Sequence, residues 1–119
     1  MSRESIREEP VLDEDIIEQN LELMEERFPE VLLEEWNTNV LPIVETVISQ
    51  YTVLGNSELG SMCHKCAGSA LQLGANQLGQ SLRTVSHMIR AGNRESALSI
   101  LEDIPMYLEL FNRAVAETK

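Results

Sequence analysis

The sequence predicts an all-α protein, an up-down four-helix bundle with one short additional helix in front, and three observations carry that prediction. Apolar residues recur at three- and four-residue spacing in nearly every segment. No segment alternates with period two for long enough to make a strand. Aromatic residues are only 4% of a chain that is 43% hydrophobic, so the core is built from Leu, Ile, Val, Met and Ala, which favours helices over a sandwich. At 119 residues the chain holds one domain.

Residues 1–12 are charged and contain Pro10, and they read as a flexible acidic arm ahead of a bundle domain over 13–119. Asp13 is placed to cap a short helix, Glu14–Arg27, in which Ile16, Ile17, Leu21 and Met24 recur at helical spacing. Phe28-Pro29 ends it, because the residue before proline avoids the α region. A long helix from Pro29 to Leu54 follows, with Leu32, Leu33, Trp36, Val40, Ile43, Val44, Val47, Ile48 and Tyr51 as its apolar positions. Pro42 lies inside it and bends it, or breaks it across Asn37–Pro42. Gly55-Asn56-Ser57 is a loop in which Asn56 or Ser57 can cap a third helix reaching about Leu78. A fourth helix spans about 80–91 and stops at Gly92-Asn93. A fifth runs from about Arg94 to Glu117, with Pro105 as a kink.

Charge narrows the function. Twenty acids against nine bases give a net charge of −11. The imbalance sits in residues 1–60, with fifteen acids against Arg3, Arg7 and Arg27; residues 61–119 carry five acids against six bases. Tight binding to nucleic acid or to an anionic membrane is not expected of such a chain. No apolar run approaches 18 residues, and no signal-peptide pattern or lipidation box is present, so a soluble, cytoplasmic protein is expected. Two cysteines are too few for a secreted disulfide scaffold.

The third helix carries the chemistry. On a wheel of 100° per residue starting at Leu59, the residues Met62, Cys63, Cys66, Ala70 and Leu73 fall within about 60° of zero and form a core stripe. His64 falls at about 140°, on a partly exposed face among Gly60, Gly68, Leu71 and Ala75. A glycine inside a helix costs about 1 kcal/mol relative to alanine. Gly60, Gly68 and Gly74 together therefore predict that something approaches this backbone closely.

The segment Cys63-His64-Lys65-Cys66-Ala67-Gly68-Ser69-Ala70-Leu71-Gln72-Leu73-Gly74-Ala75 resembles the histidine-containing phosphotransfer (HPt) family. The family pattern is His-x-x-Lys-Gly-Ser-Ser-x-x-x-Gly-Ala on a helix of a four-helix bundle. His64, Gly68, Ser69, Gly74 and Ala75 match it in spacing. Ala67 stands where the family has lysine, and Ala70 where it has the second serine. The resemblance implies that His64 accepts a phosphoryl group from a receiver-domain aspartate and passes it to another receiver. It implies Lys65, Ala67, Gly68, Ser69 and Leu71 at the phosphate or the partner, with Gly68 leaving room. It also implies that Ile16, Ile17, Leu21 and Met24 of the front helix help to dock the receiver. The expected partners are response-regulator receiver domains and a hybrid sensor histidine kinase, the chain itself being a monomer. No cofactor belongs to this chain on that reading; Mg²⁺ belongs to the receiver. A degenerate bundle that binds receivers without carrying phosphate is the alternative, motivated by Ala67.

The chemistry agrees with the resemblance. Neutral imidazole is a nitrogen nucleophile near neutral pH, and phosphoryl transfer asks of the protein mainly positioning and charge stabilisation. Lys65 lies about 100° round from His64, within reach of a flexible side chain, and Arg83 and Arg90 are further candidate charges. His87 has no comparable neighbours and reads as a surface or packing residue. Cys63, His64 and Cys66 cannot all converge on one tetrahedral ion from one helix, so no metal site is expected, and both thiols read as small buried hydrophobes. The chain has no phosphate loop, no dinucleotide fingerprint and no hydrolase triad pattern, so it would carry phosphoryl groups and not generate them.

Overall fold

The computed structural model describes residues 1–24 and 28–118, with backbone alone at 21, 23, 24, 28, 29 and 118. The described chain folds into α1 (Arg3–Arg7), α2 (Glu14–Met24), α3 (Phe28–Glu35), a π-helical turn (Trp36–Val40), α4 (Leu41–Gln50), α5 (Asn56–Gln72), α6 (Asn76–Arg90) and α7 (Arg94–Thr118). Among the described residues the β-type pairing is a single isolated antiparallel bridge between Leu12 and Ala75. The fold class is therefore all-α, as the sequence predicts. No helix among the described residues is long and apolar enough to cross a membrane.

Local chemistry explains most of the boundaries. The Asp13 carboxylate accepts from the backbone N–H groups of Asp15 and Ile16 at 3.1 and 3.2 Å, which caps α2 as expected. The expected cap of α5 is not made: Gly55 takes that position without a side-chain bond, and the Asn56 side-chain oxygen accepts from the Arg94 guanidinium at 2.7 Å instead. Pro42 is the second residue of α4, where its missing N–H costs little. The turn just before it widens, and the Leu41 N–H donates to the Trp36 carbonyl five residues back. The break expected across Asn37–Pro42 thus takes the form of a π-helical turn. Trp36 anchors that turn by stacking on Phe111 of α7, ring centroids 4.2 Å apart and planes 7° from parallel.

The third helix ends earlier than the sequence predicts. Gly74 has a φ of +87°, in the left-handed region that favours glycine. The Gly74 N–H donates to Leu71 and the Ala75 N–H to Ala70, the bond pattern of a Schellman stop. Gly92, with φ +79°, ends α6 in the same way. Gly74 is a terminator and not a helix-interior glycine, so α5 closes at Gln72 and α6 opens at Asn76.

The first twelve residues are not a free arm. Ser2 and Ser5 form a capping box at the start of α1, and Ile6 is completely buried. Arg3 and Arg7 each reach Asp103 of α7 with two hydrogen bonds, at 2.8 and 2.9 Å for Arg3 and 3.1 and 3.1 Å for Arg7. Hydrogen bonds from Arg3 first, and from Arg7, hold the Asp103 carboxyl at about 2, well below the ordinary carboxylate value. The Gln77 amide donates to the Ile6 carbonyl at 3.2 Å and to that of Arg7 at 3.4 Å, satisfying carbonyls at the end of α1. The Asn76 amide donates to the Pro10 carbonyl at 2.8 Å, and the Asp13 N–H to the Gly74 carbonyl at 2.8 Å. Residues 3–13 are thereby strapped across α7 and the α5–α6 turn. Periodicity could not show this, because a single buried Ile in a charged segment makes no period.

The core is formed where α6 lies between α5 and α7, with α4 packed on both α5 and α7. It contains Val44 and Val47 of α4, Leu59, Cys63, Cys66 and Ala70 of α5, Leu78, Leu82 and Val85 of α6, and Ala97, Ile100, Leu101 and Ile104 of α7.

Candidate functional site

The buried face of α5 is wider than the wheel predicts. It takes in Leu59, Gly60, Cys63, Cys66, Ala67 and Ala70. Gly60 is in this face because α6 comes close: the Ser86 hydroxyl donates to the Gly60 carbonyl at 3.0 Å, and a Cβ at Gly60 would meet Ile89 at 3.5 Å. Cys63 and Cys66 are fully buried, and burial pushes both thiols up to about 12, so they pack as neutral groups. The Cys66 thiol points at the Val40 carbonyl, 3.7 Å away, at the end of the π-helical turn.

His64 stands on the exposed edge of α5. Gly68, one turn on, is exposed too, and a Cβ built there would have no atom within 4 Å. Of the two glycines inside α5, Gly68 is the one that faces open space among the described residues, whereas a Cβ at Gly60 would make an ordinary contact with α6. The expectation of a close approach to the helix backbone therefore reduces from three glycines to Gly68. The edge is set by the core beneath it, because Cys63 and Cys66 fix the rotation of α5 and Gly74 fixes its end.

The remaining predicted residues divide between different faces. Lys65 and Ser69 line a groove of about 350 Å³ with Glu35, Thr38, Asn39, Val40, Ile43, Gln72 and Leu73, on the flank of α5 that meets the π-helical turn. There the Asn39 amide donates to the Glu35 carboxylate at 2.7 Å. Ala67 is buried at 3% exposure, so its side chain meets the core and not a phosphate or a partner. Leu71 is half-buried and lies over Gly79, where a Cβ would come within 2.6 Å of it. Leu71 thus packs the α5–α6 seam and offers only part of its surface.

The front helix is also corrected. Ile17 is 5% exposed, and its side chain covers Gly74, where a Cβ would sit 2.7 Å from Ile17 Cδ1. Ile17 closes the α5–α6 turn and leaves little of its own surface open. Ile16 is half-buried beside it, while the side chains of Leu21 and Met24 lie outside the described residues. His64 lies eight residues before the end of α5 at Gln72, about 12 Å along the helix, so the start of α2, at the turn beyond that end, sits away from the imidazole.

On the His64 side of the seam, α6 exposes Arg83, His87 and Arg90 at helical spacing. Arg90 shares a groove with Asn56, Ser57, Gly60, Ser61 and Ile89. Sequence reasoning named the two arginines without placing them. Their position follows only when the Gly60–Ser86 and Leu71–Gly79 contacts fix how α5 lies on α6.

The arrangement supplies an exposed imidazole on a rigid helix, open space one turn away, and cations on the neighbouring helix. Comparison with known proteins gave no matching family model, no matching curated protein and no matching solved structure.

Proposed function

We propose that this chain is a histidine phosphotransfer protein of a cytoplasmic multistep His–Asp phosphorelay, with His64 as its phosphorylated residue and no nucleotide-dependent kinase activity of its own. Gly68 carries the reading. A mid-helix glycine sacrifices about 1 kcal/mol, none of the described residues comes within 4 Å of where its Cβ would be, and that space lies one turn from an exposed histidine. A partner that must bring an aspartate against His64 uses such a gap.

The chemistry follows from the imidazole. The ring nitrogen that bears no hydrogen attacks the phosphorus of a receiver's aspartyl phosphate. An N–P bond forms, the bond from phosphorus to the acyl oxygen breaks, and the aspartate leaves as a carboxylate. The proton on the other ring nitrogen can then pass to water, and transfer to a second receiver reverses these events. The helix contributes position, and the receiver's own Mg²⁺ balances most of the charge. Receiver domains and a hybrid sensor histidine kinase are the partners on this reading, and the chain acts as a monomer. The finer architecture that accompanies it is an up-down four-helix bundle of α4, α5, α6 and α7. Support comes from the packing of α6 between α5 and α7 and of α4 on α5 and α7.

A second reading has its own observation. Ala67 is buried, and Lys65, the residue after His64, lines the neighbouring groove, so no cation stands at the position where the family has its lysine. That favours a degenerate bundle that binds receivers without carrying phosphate. Incubation with a phosphorylated receiver separates the two. Acid-labile, base-stable label on the wild type, lost in His64→Gln, supports the carrier; a wild type that binds the receiver and never takes label supports the degenerate bundle.

A further inference from the structure

All twenty acids of the chain lie outside residues 59–94. That acid-free stretch of 36 residues contains both histidines and Lys65, Arg83, Arg90 and Arg94. It corresponds to nearly all of α5, all of α6 and the turn between them. In a chain of net charge −11 this is the one long segment with positive charge.

The structure sorts these cations. Arg94 is committed internally, donating to the Tyr51 carbonyl at 2.6 Å and to Asn56 at 2.7 Å. Lys65 faces the groove on the far flank of α5. Arg83 and Arg90 are exposed and, among the described residues, make no hydrogen bond or ion pair. They stand with His87 at positions i, i+4 and i+7 of one helix face, which is nearly all that α6 exposes. The Gly60–Ser86 and Leu71–Gly79 contacts run α5 and α6 antiparallel, so Arg83 lies level with His64 while His87 and Arg90 follow the N-terminal half of α5, Arg90 beside Asn56, Ser57 and Ser61.

We propose that Arg83, His87 and Arg90 form a cationic docking strip for a carboxylate-rich protein surface, and that its occupant is the receiver domain whose aspartate pocket, ringed by carboxylates that hold Mg²⁺, meets His64. Charge complementarity carries the choice. The strip flanks the exposed edge of α5 that carries His64, it has no counter-charge among the described residues, and a Mg²⁺-binding pocket is built from acidic residues. Nucleic acid would meet the same strip but also the acidic remainder of the chain, which repels it. The proposal rests on the phosphotransfer reading for its occupant. Long-range attraction of this kind acts mainly on encounter rate and falls with salt.

The test uses the full chain and an isolated receiver domain loaded with Mg²⁺ and beryllofluoride. Wild-type affinity is expected to weaken about tenfold between roughly 20 and 200 mM NaCl. Arg83→Glu with Arg90→Glu is expected to reduce affinity at low salt by about tenfold or more and to flatten the salt dependence. Arg113→Glu, on α7 and away from the strip, changes net charge as one strip reversal does and is expected to have a far smaller effect. Phosphoramidate, a small donor that needs no docking, tests separately whether His64 of the wild type takes a phosphoryl group. If the double variant binds with unchanged affinity and salt dependence, the strip is overturned. Equal losses for Arg83→Glu and Arg113→Glu would also overturn it, since net charge alone would then account for the effect. If binding behaves as expected but His64 never takes label, the strip stands and the carrier reading fails. Salt-sensitive self-association of the wild type that the double variant loses, with no receiver binding, would assign the strip to a second copy and overturn the stated occupant.

Discussion

The two sets of arginines in this chain are used in opposite ways. Arg3 and Arg7 converge on the buried carboxylate of Asp103 and fasten the N-terminal helix to α7. Arg83 and Arg90 lie on the open face of α6 with no acid anywhere on their helix. One pair is consumed by structure, and the other has no ion-pair partner among the described residues. The difference teaches where to look for a docking face in an acidic chain, because only cations not already neutralised within the fold can attract an acidic partner. It also separates the expected effects of substitution: the α1 side should change stability and spare transfer, and the α5–α6 edge should do the reverse.

The sharpest separation comes from His64→Gln, which removes the nucleophilic nitrogen. It should abolish phosphoryl acceptance completely while leaving the thermal midpoint within about 2 °C, as expected for an exposed site. Transfer near the wild-type rate would break the contrast at its functional end and turn attention to His87. On the other side, Ile6→Ala should lower unfolding free energy by about 2–4 kcal/mol, since Ile6 is completely buried. Denaturant midpoints measure this, and transfer rate at a temperature where the variant is folded should be unchanged. A loss below about 0.5 kcal/mol would mean that α1 is not docked in solution.

Gly74→Ala comes next. The positive φ and the contact with Ile17 together should cost about 1–2 kcal/mol. The smallest stability effect concerns pH. Asp103 is held at about 2 in the fold, against 3.8 for the free group. A depressed carboxyl value stabilises above the unfolded value, and that contribution disappears as pH falls from about 4 through 2. Because both arginines are partly exposed, the contribution is limited to about 1 kcal/mol. Asp103→Asn should remove that step from the stability–pH curve without altering transfer at neutral pH.

Much of this was legible in the sequence. Helical periodicity and the absence of strands give the fold class, Asp13 the α2 cap, Gly92 a helix stop, and Pro42 the break before α4. The exposure of His64 follows from its angle to the Cys63–Cys66–Ala70 stripe. What was not legible depends on partners distant in sequence. Arg3 and Arg7 find Asp103 about a hundred residues away, so the N-terminal segment looks like a free arm until α7 is in place. Gly74 and Gly68 both read as glycines inside the third helix, and only the backbone shows one to be a terminator and the other an open site. Ala67 lies near the edge of the predicted stripe, where the nearness of α6 widens the buried face. Helical spacing marks Ile17 as apolar, but that it covers the α5–α6 turn shows only once the bare Cα of Gly74 receives it.

The central claim is that the edge of α5 beside His64 is left open for a partner, and Gly68→Gln tests it most directly. Thermal unfolding and the rate of phosphoryl transfer from a phosphorylated receiver are measured on the same preparation. Glutamine adds helix propensity, and the open space around Gly68 leaves room for its side chain, so the midpoint should rise by about 2–4 °C. The same side chain, one turn from His64, should keep the receiver's aspartate from an attack distance of about 3–3.5 Å and slow transfer at least tenfold. Stability and transfer should therefore move in opposite directions. A lower midpoint, or a transfer rate equal to that of the wild type, would contradict the account.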